Sequence, residues 1–197
     1  MELERLDKFY ALHSKFYDLT RPFFLLSRKR ALSLLKFNKN DKVLDLACGT
    51  GLNVRYLLKK VPPENITGID YSESMLAIAK KKYPKVKFIN GDASTFSLGQ
   101  KFDKIICTYS LSMIEEWEKT IANAKKHLKK NGVFLVLDFN KWQGLIKPLH
   151  PLFRKWLLLH GVNPDKDCFF EMKKHFRKVE KHVWNFSYNV VLIASVN

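Results

Sequence analysis

Between residues 42 and 139 short apolar runs alternate with helix-patterned stretches, and this alternation restricts the fold more than any other feature. The runs "KVLDLACG", "NITGID", "KVKFINGD", "KFDKIICTYS" and "GVFLVLDF" read as five strands. Helices are expected over "GLNVRYLLKK", over "SESMLAIAKKKY" with Ser72 at its N-terminus, and from Glu115 to Lys130. Strands separated by such helices form βαβ units and a parallel sheet. The fifth run is nearly all apolar, as suits a strand buried on both faces. The end, "FRKVEKHVWNFSYNVVLIASVN", reads as two more strands joined by a turn near Asn185. The expected fold class is therefore α/β. It is a doubly wound, mostly parallel seven-stranded sheet with a C-terminal antiparallel β-hairpin and an N-terminal helical extension. One domain accounts for the whole chain: a helical lid over 1–40, a ligand-binding core over 41–139, and a covering segment with the last strands over 140–197.

The loop after the first strand narrows the choice of ligand. In "VLDLACGTG" the strand ends at Asp45-Leu46 and small residues, Ala47-Cys48-Gly49-Thr50-Gly51, lead towards a helix. Small side chains let a ligand approach the backbone closely. The dinucleotide fingerprint G-x-G-x-x-G fails here, because Ala47 and Leu52 stand where glycines are required. A phosphate-binding Gly-Lys-Ser/Thr loop is also missing.

"VLDLACGTG" resembles motif I of the class I S-adenosylmethionine-dependent methyltransferases. The resemblance continues through "GIDYSESML", "NGDAS", "FDKIICTYSLSMI" and "LKKNGVFLVLDF", and so covers residues 42–139 without a break. It implies S-adenosylmethionine as cofactor and S-adenosylhomocysteine as product. It also implies that Asp70 takes the ribose hydroxyls and Asp92 the adenine amino group. Asp45, Ala47, Cys48, Gly49, Gly51, Ala93 and Thr108 complete the candidate cofactor set. Asp45 is alternatively a structural acid tying its own loop, and Tyr71 and Met75 either flank the adenine or pack in the core. Cys48 and Cys107 read as small apolar fillers.

The methyl acceptor is less legible. The Asn/Asp-Pro-Pro-Tyr motif of nucleobase and glutamine methylation is absent, and "CTYS" stands in its place. "YDLTRPFFLLSRKR" and "HPLFRKWLLLHGVNP" look similar to segments of bacterial lipid-headgroup N-methyltransferases. Quinone methyltransferases share much of the core pattern. The first expectation is N-methylation of a lipid-headgroup amine at a membrane surface. The alternatives are a quinone or other small-molecule acceptor, RNA, and a cofactor-binding protein without catalysis. Tyr17 and Tyr109 are the candidate acceptor-facing residues, and His13 and His150 the candidate proton acceptors. Aromatic faces hold a methylated ammonium well, and Tyr10, Phe16, Phe23, Phe24, Trp142 and Trp156 lie in the two covering segments. On a helical wheel from Phe24 to Lys36, Arg28 falls inside the apolar face made by Phe24, Leu25, Ala31, Leu32 and Leu35. A charge there needs a partner, with Asp18 or a lipid phosphate or carboxylate as candidates.

Composition bounds the partners. The 35 basic and 19 acidic residues leave a net charge of +16, a field that attracts nucleic acid or an anionic membrane. Lysine supplies most of it, and the scarcity of arginine argues against specific nucleic-acid readout. Three cysteines without a C-x-x-C pair argue against both a disulfide framework and a metal site. The charged start "MELERLDKFY" lacks a secretory apolar region, and no apolar run approaches the roughly 18 residues of a membrane span. A reduced, cytoplasmic protein is expected, with peripheral membrane contact through the Phe-Leu cluster as a further expectation.

Overall fold

The computed structural model describes residues 27–141, 148–184 and 188–196. Its sheet is built from β1 (Val43–Leu46), β2 (Ile66–Asp70), β3 (Lys87–Asn90), β4 (Phe102–Thr108), β5 (Leu128–Phe139), β6 (Lys178–Trp184) and β7 (Asn189–Ser195). The order is β3-β2-β1-β4-β5-β7-β6. The first five strands pair in parallel, while β7 runs antiparallel to both β5 and β6. This is the doubly wound, mostly parallel seven-stranded sheet expected from the sequence.

Helices cover both faces. On one lie α1 (Arg28–Ser33), α2 (Val54–Leu57), α3 (Glu73–Lys82) and α5 (His150–Leu159), which bury Ala31, Leu57, Leu76 and Leu157. On the other lie α4 (Trp117–Lys126) and α6 (Cys168–His175), which bury Ile121, Ala124 and Met172. Alternation along β5 serves both cores, with Phe134 and Val136 on one face and Leu135 and Leu137 on the other.

Several boundaries depart from the sequence reading. α2 is a single turn, shorter than the expected helix, because the turns after Gly49 occupy its first residues. α4 stops at Lys126, and β5 starts at Leu128, ahead of the expected Gly132, because Leu128 pairs with Phe102 before the register shifts. α3 matches its expectation, with the Ser72 hydroxyl accepting from the Met75 amide at 3.3 Å. The wheel reading of α1 also holds where it is described: Arg28, Ala31 and Leu32 are buried. Phe24, Leu25 and Asp18 lie outside the described residues.

Candidate functional site

In the order β3-β2-β1-β4 the chain reverses its direction of growth between β1 and β4, and doubly wound sheets bind ligands at that point. The first residue past each of these strands is backbone-strained. Ala47 (φ 53) and Tyr109 (φ 57) are the non-glycine residues with positive φ among the described residues. The Ser110 hydroxyl ties the two corners together, donating to the Ala47 carbonyl at 3.4 Å and the Thr108 carbonyl at 3.1 Å.

Asp45 occupies a position on β1 where alternation would otherwise place an apolar side chain, and it is completely buried. The Asn53 side-chain amide donates to its Oδ1 at 2.7 Å and, from the same nitrogen, to Thr108 Oγ1 at 3.0 Å. Asp45 Oδ2 is buried without a hydrogen-bond partner. Burial pushes the carboxyl up to about 7; the Asn53 bond and the Arg28 charge oppose this, and Asp70 adds to it. Half of Asp45 is therefore the structural acid foreseen as the alternative. The other half is an orphaned acceptor that a ligand with a cationic or donor end would satisfy.

The loop around Asp45 is shaped for close approach. Gly49 (φ 54) and Gly51 (φ 76) are both left-handed. A Cβ on Gly49 would find Met75 Cε no nearer than 3.8 Å, which leaves space above the loop. A Cβ on Gly51 would press on the Tyr83 ring at 3.2 Å. Cys48 sits beneath, its amide donating to the Ile69 carbonyl at 3.0 Å, and burial pushes its thiol far up. Cys107 is buried in the same way, so both behave as the apolar fillers expected.

Asp70 and Asp92 stand at the ends of β2 and β3, but each is already engaged. Asp70 accepts from the Gly49 amide at 2.7 Å and the Ser72 amide at 2.9 Å, joining the glycine loop to the start of α3. Asp92 Oδ1 accepts from the Ser94 amide and hydroxyl, both at 2.7 Å. A carboxylate has about four acceptor positions, and both bonds from Ser94 fall on Asp92 Oδ1, which leaves Oδ2 to face a ligand. Tyr71 is exposed beside them, Met75 is buried against the loop, and Ala93 is buried with its carbonyl accepting from Asn123 at 3.4 Å. Every residue of the candidate cofactor set therefore gathers along the C-terminal ends of β1 to β4.

The acceptor residues fare differently. Tyr109 is buried rather than open: its ring lies 4.9 Å beneath the Arg28 guanidinium and 5.2 Å from Phe139. Its hydroxyl is enclosed beside Ser27 without a well-formed hydrogen bond, and burial pushes the phenol far above its ordinary value. Arg28 thus meets an aromatic face and the field of Asp45. Arg30 turns the other way, 4.4 Å over Trp184. His150 opens α5 and is half-buried. Tyr17, His13, Tyr10, Phe16, Phe23 and Trp142 lie outside the described residues.

From Tyr109 a line of rings leads outward: Phe139 to Tyr188 at 5.5 Å, Tyr188 to Phe153 at 5.4 Å, and Phe153 to Trp156 at 6.0 Å. Burial falls along it, from enclosed Tyr109 and Phe139 to exposed Trp156. Sequence reading missed this run, since its members come from the residue after β4, from β5, from α5 and from the residue before β7. It also missed Asp138. That buried carboxylate accepts from the Ser112 amide at 2.9 Å, the Ser112 hydroxyl at 2.7 Å and the Phe139 amide at 2.8 Å, and so fixes the loop after β4. Lys166 holds the same loop from outside, donating to the Leu111 and Ile114 carbonyls at 3.2 and 2.6 Å.

Residues 43–132 match the methyltransferase domain family. The chain is 35% identical over 112 residues to the demethylmenaquinone methyltransferase of Thermotoga maritima, covering 56% of this chain and 49% of that one. It is 31% identical over 180 residues to the trans-aconitate 2-methyltransferase of Klebsiella pneumoniae, covering 87% of this chain and 67% of that one. The chain spans about half the length of the first of these. A solved S-adenosylmethionine-dependent methyltransferase from Thermotoga maritima shares the fold over the full length of both chains, with a TM-score of 0.76 at 18% identity.

Proposed function

The chain belongs to the class I S-adenosylmethionine-dependent methyltransferases, and on that premise we propose that it methylates a small, ring-bearing acceptor of the quinone type. The observation that carries the acceptor class is the line of rings from Tyr109 to Trp156, an aromatic wall whose inner rings pack on one another and whose outer ring, Trp156, is exposed to a planar molecule. It is supported by the relative named for demethylmenaquinone.

S-adenosylmethionine supplies an electrophilic methyl group on a sulfonium when bound. Asp70 and Asp92 would hold its hydroxyl and amino donors, the Gly49–Gly51 loop would admit it against the backbone, and Asp45 Oδ2 would accept from its charged end. Displacement at the methyl carbon needs alignment and a dry site more than it needs a strong base. Tyr109, Phe139 and the α1 face supply the dry wall. Tyr109 stays protonated at neutral pH, so its hydroxyl offers no phenolate base there. His150 and His13 are the side chains assigned to take a proton from the acceptor, and Tyr17 is assigned to the acceptor side with them.

The same rings suit a methylated ammonium, so N-methylation of a lipid-headgroup amine is the second reading. One assay separates the two. The chain is incubated with methyl-labelled cofactor and, in separate arms, a reduced naphthoquinone, trans-aconitate, phosphatidylethanolamine vesicles and total RNA. Label in the naphthoquinone supports the proposal. Label confined to phosphatidylethanolamine replaces it with the second reading, and label confined to trans-aconitate or RNA overturns both.

A further inference from the structure

Away from the β1–β4 site, α5 carries apolar side chains on an inner and an outer side, with the half-exposed Leu158 apart from both. The inner side is ordinary: Leu157 is buried, and Phe153 packs against Tyr188. On the outer side Leu149, Leu152, Trp156 and Leu159 recur at helical spacing and form one strip. Leu152 and Leu159 keep 73% and 76% of their surface exposed. Single exposed leucines need no explanation, but a continuous strip along a helix marks a contact surface.

We propose that this strip seats α5 in the plane of an anionic membrane surface. Charge selects the occupant. Residues 139–164 carry Lys141, Lys147, Arg154 and Lys155 and no acidic residue. Asp165 reaches back to Arg154 at 2.6 Å and Lys141 at 3.5 Å, whereas Lys155 flanks the strip and is exposed. Two copies packed strip to strip would bring these basic segments together, within chains that each carry +16. An anionic bilayer complements both the strip and the charge. Trp156, at the strip's inner edge, is the residue type favoured at headgroup depth. No helix among the described residues is long and apolar enough to cross a membrane, so α5 lies on the surface. Trp156 also ends the line of rings, so the strip lies where a lipid-soluble acceptor would enter.

The test needs neither cofactor nor acceptor, so it succeeds or fails independently of the transfer assay. The full chain is sedimented with vesicles of equal parts phosphatidylglycerol and phosphatidylcholine, and with vesicles of phosphatidylcholine alone. Binding to the anionic vesicles only is expected. Leu152→Gln with Leu159→Gln should weaken it roughly tenfold or more, and Lys155→Glu should weaken it less and in a salt-dependent way. A blue shift in tryptophan emission on binding should be lost in Trp156→Phe. Retained far-ultraviolet circular dichroism and thermal midpoint show that the variants fold, because the altered side chains are exposed. No binding to anionic vesicles, equal binding to neutral ones, or binding undiminished in the double leucine variant each overturns the proposal. So does a concentration-dependent dimer that the double variant converts to monomer, since a second copy would then be the strip's occupant.

Discussion

A single nitrogen, Asn53 Nδ2, bonds both Asp45 at 2.7 Å and Thr108 at 3.0 Å, and so joins the ends of β1 and β4 where the chain reverses its direction of growth. Asn53 also stands at the N-cap position of α2, but its side chain makes no capping bond there and is turned to the two strand ends instead. Among the described residues, the bond to Asp45 supplies the one hydrogen-bond partner of that fully buried carboxylate.

Asn53→Ala should therefore cost more than one surface hydrogen bond. Leaving a buried carboxylate wholly unsatisfied costs about 1–3 kcal/mol or more. Urea denaturation at pH 7.5 measures it, with loss of cofactor affinity expected alongside. A stability change below about 0.5 kcal/mol would show that water takes over the Asn53 role.

Asp45 makes stability depend on pH in a defined direction. Its carboxyl moves from an ordinary 3.8 to about 7 on folding. A raised acid costs nothing below its unfolded value, where both states are protonated. The cost grows as pH climbs through the window and is complete above the folded value. Asp45→Asn removes this titration, so its stability relative to the parent should rise between about pH 4 and 7 by roughly 1.4 kcal/mol per unit and then level. A donor ligand at Oδ2 pulls the carboxyl back down. Cofactor binding should therefore release a proton near pH 7 in the parent and none from this site in the variant, as read by calorimetry in two buffers of different ionisation enthalpy. A flat difference in both measurements would remove Asp45 from the ligand's reach.

The strands were legible because each is a short apolar run bounded by turn residues, and the three acids were legible as carboxylates at strand ends. What could not be read locally is pairing at a distance. Leu128 joins β5 through Phe102, Asn53 finds Asp45, and Asp138 collects Ser112 and Phe139. The wheel placed Arg28 on the buried face but could not name Tyr109 as the ring beneath it, since 81 positions separate them in "RKRALS" and "CTYS". Asp70 shows the converse. Its place was evident from sequence, yet the amides of Gly49 and Ser72 that it holds make it as much a brace of the loop as a ligand contact.

Two glycines separate binding from folding. At Gly49 a methyl group meets nothing closer than 3.8 Å, so Gly49→Ala carries only the left-handed backbone cost of about 1–2 kcal/mol. Because the methyl fills the space above the loop, cofactor affinity should fall by far more than stability. At Gly68 a methyl group would stand 2.6 Å from the Phe88 ring and 2.9 Å from the Cys48 sulfur. Gly68→Ala should lose about 1–3 kcal/mol of stability through overpacking. Equal losses of affinity per unit of stability in the two variants would mean that the loop has no direct contact with the cofactor.

Tyr109 tests whether the buried end of the aromatic line contributes through its ring or its hydroxyl. The ring touches Phe139 and lies under Arg28, whereas the hydroxyl beside Ser27 makes no well-formed hydrogen bond. Tyr109→Phe keeps the packing and removes a buried polar atom, so its stability should stay within about 1 kcal/mol of the parent. Tyr109→Ala opens a cavity and should lose about 3–5 kcal/mol, as large aromatic truncations do. If the ring serves as a dry wall, Tyr109→Phe should also keep kcat within a factor of a few while Tyr109→Ala loses acceptor KM and stability together. A Tyr109→Phe variant that folds normally but loses kcat by two orders of magnitude at unchanged cofactor affinity would instead make the hydroxyl a donor to the acceptor.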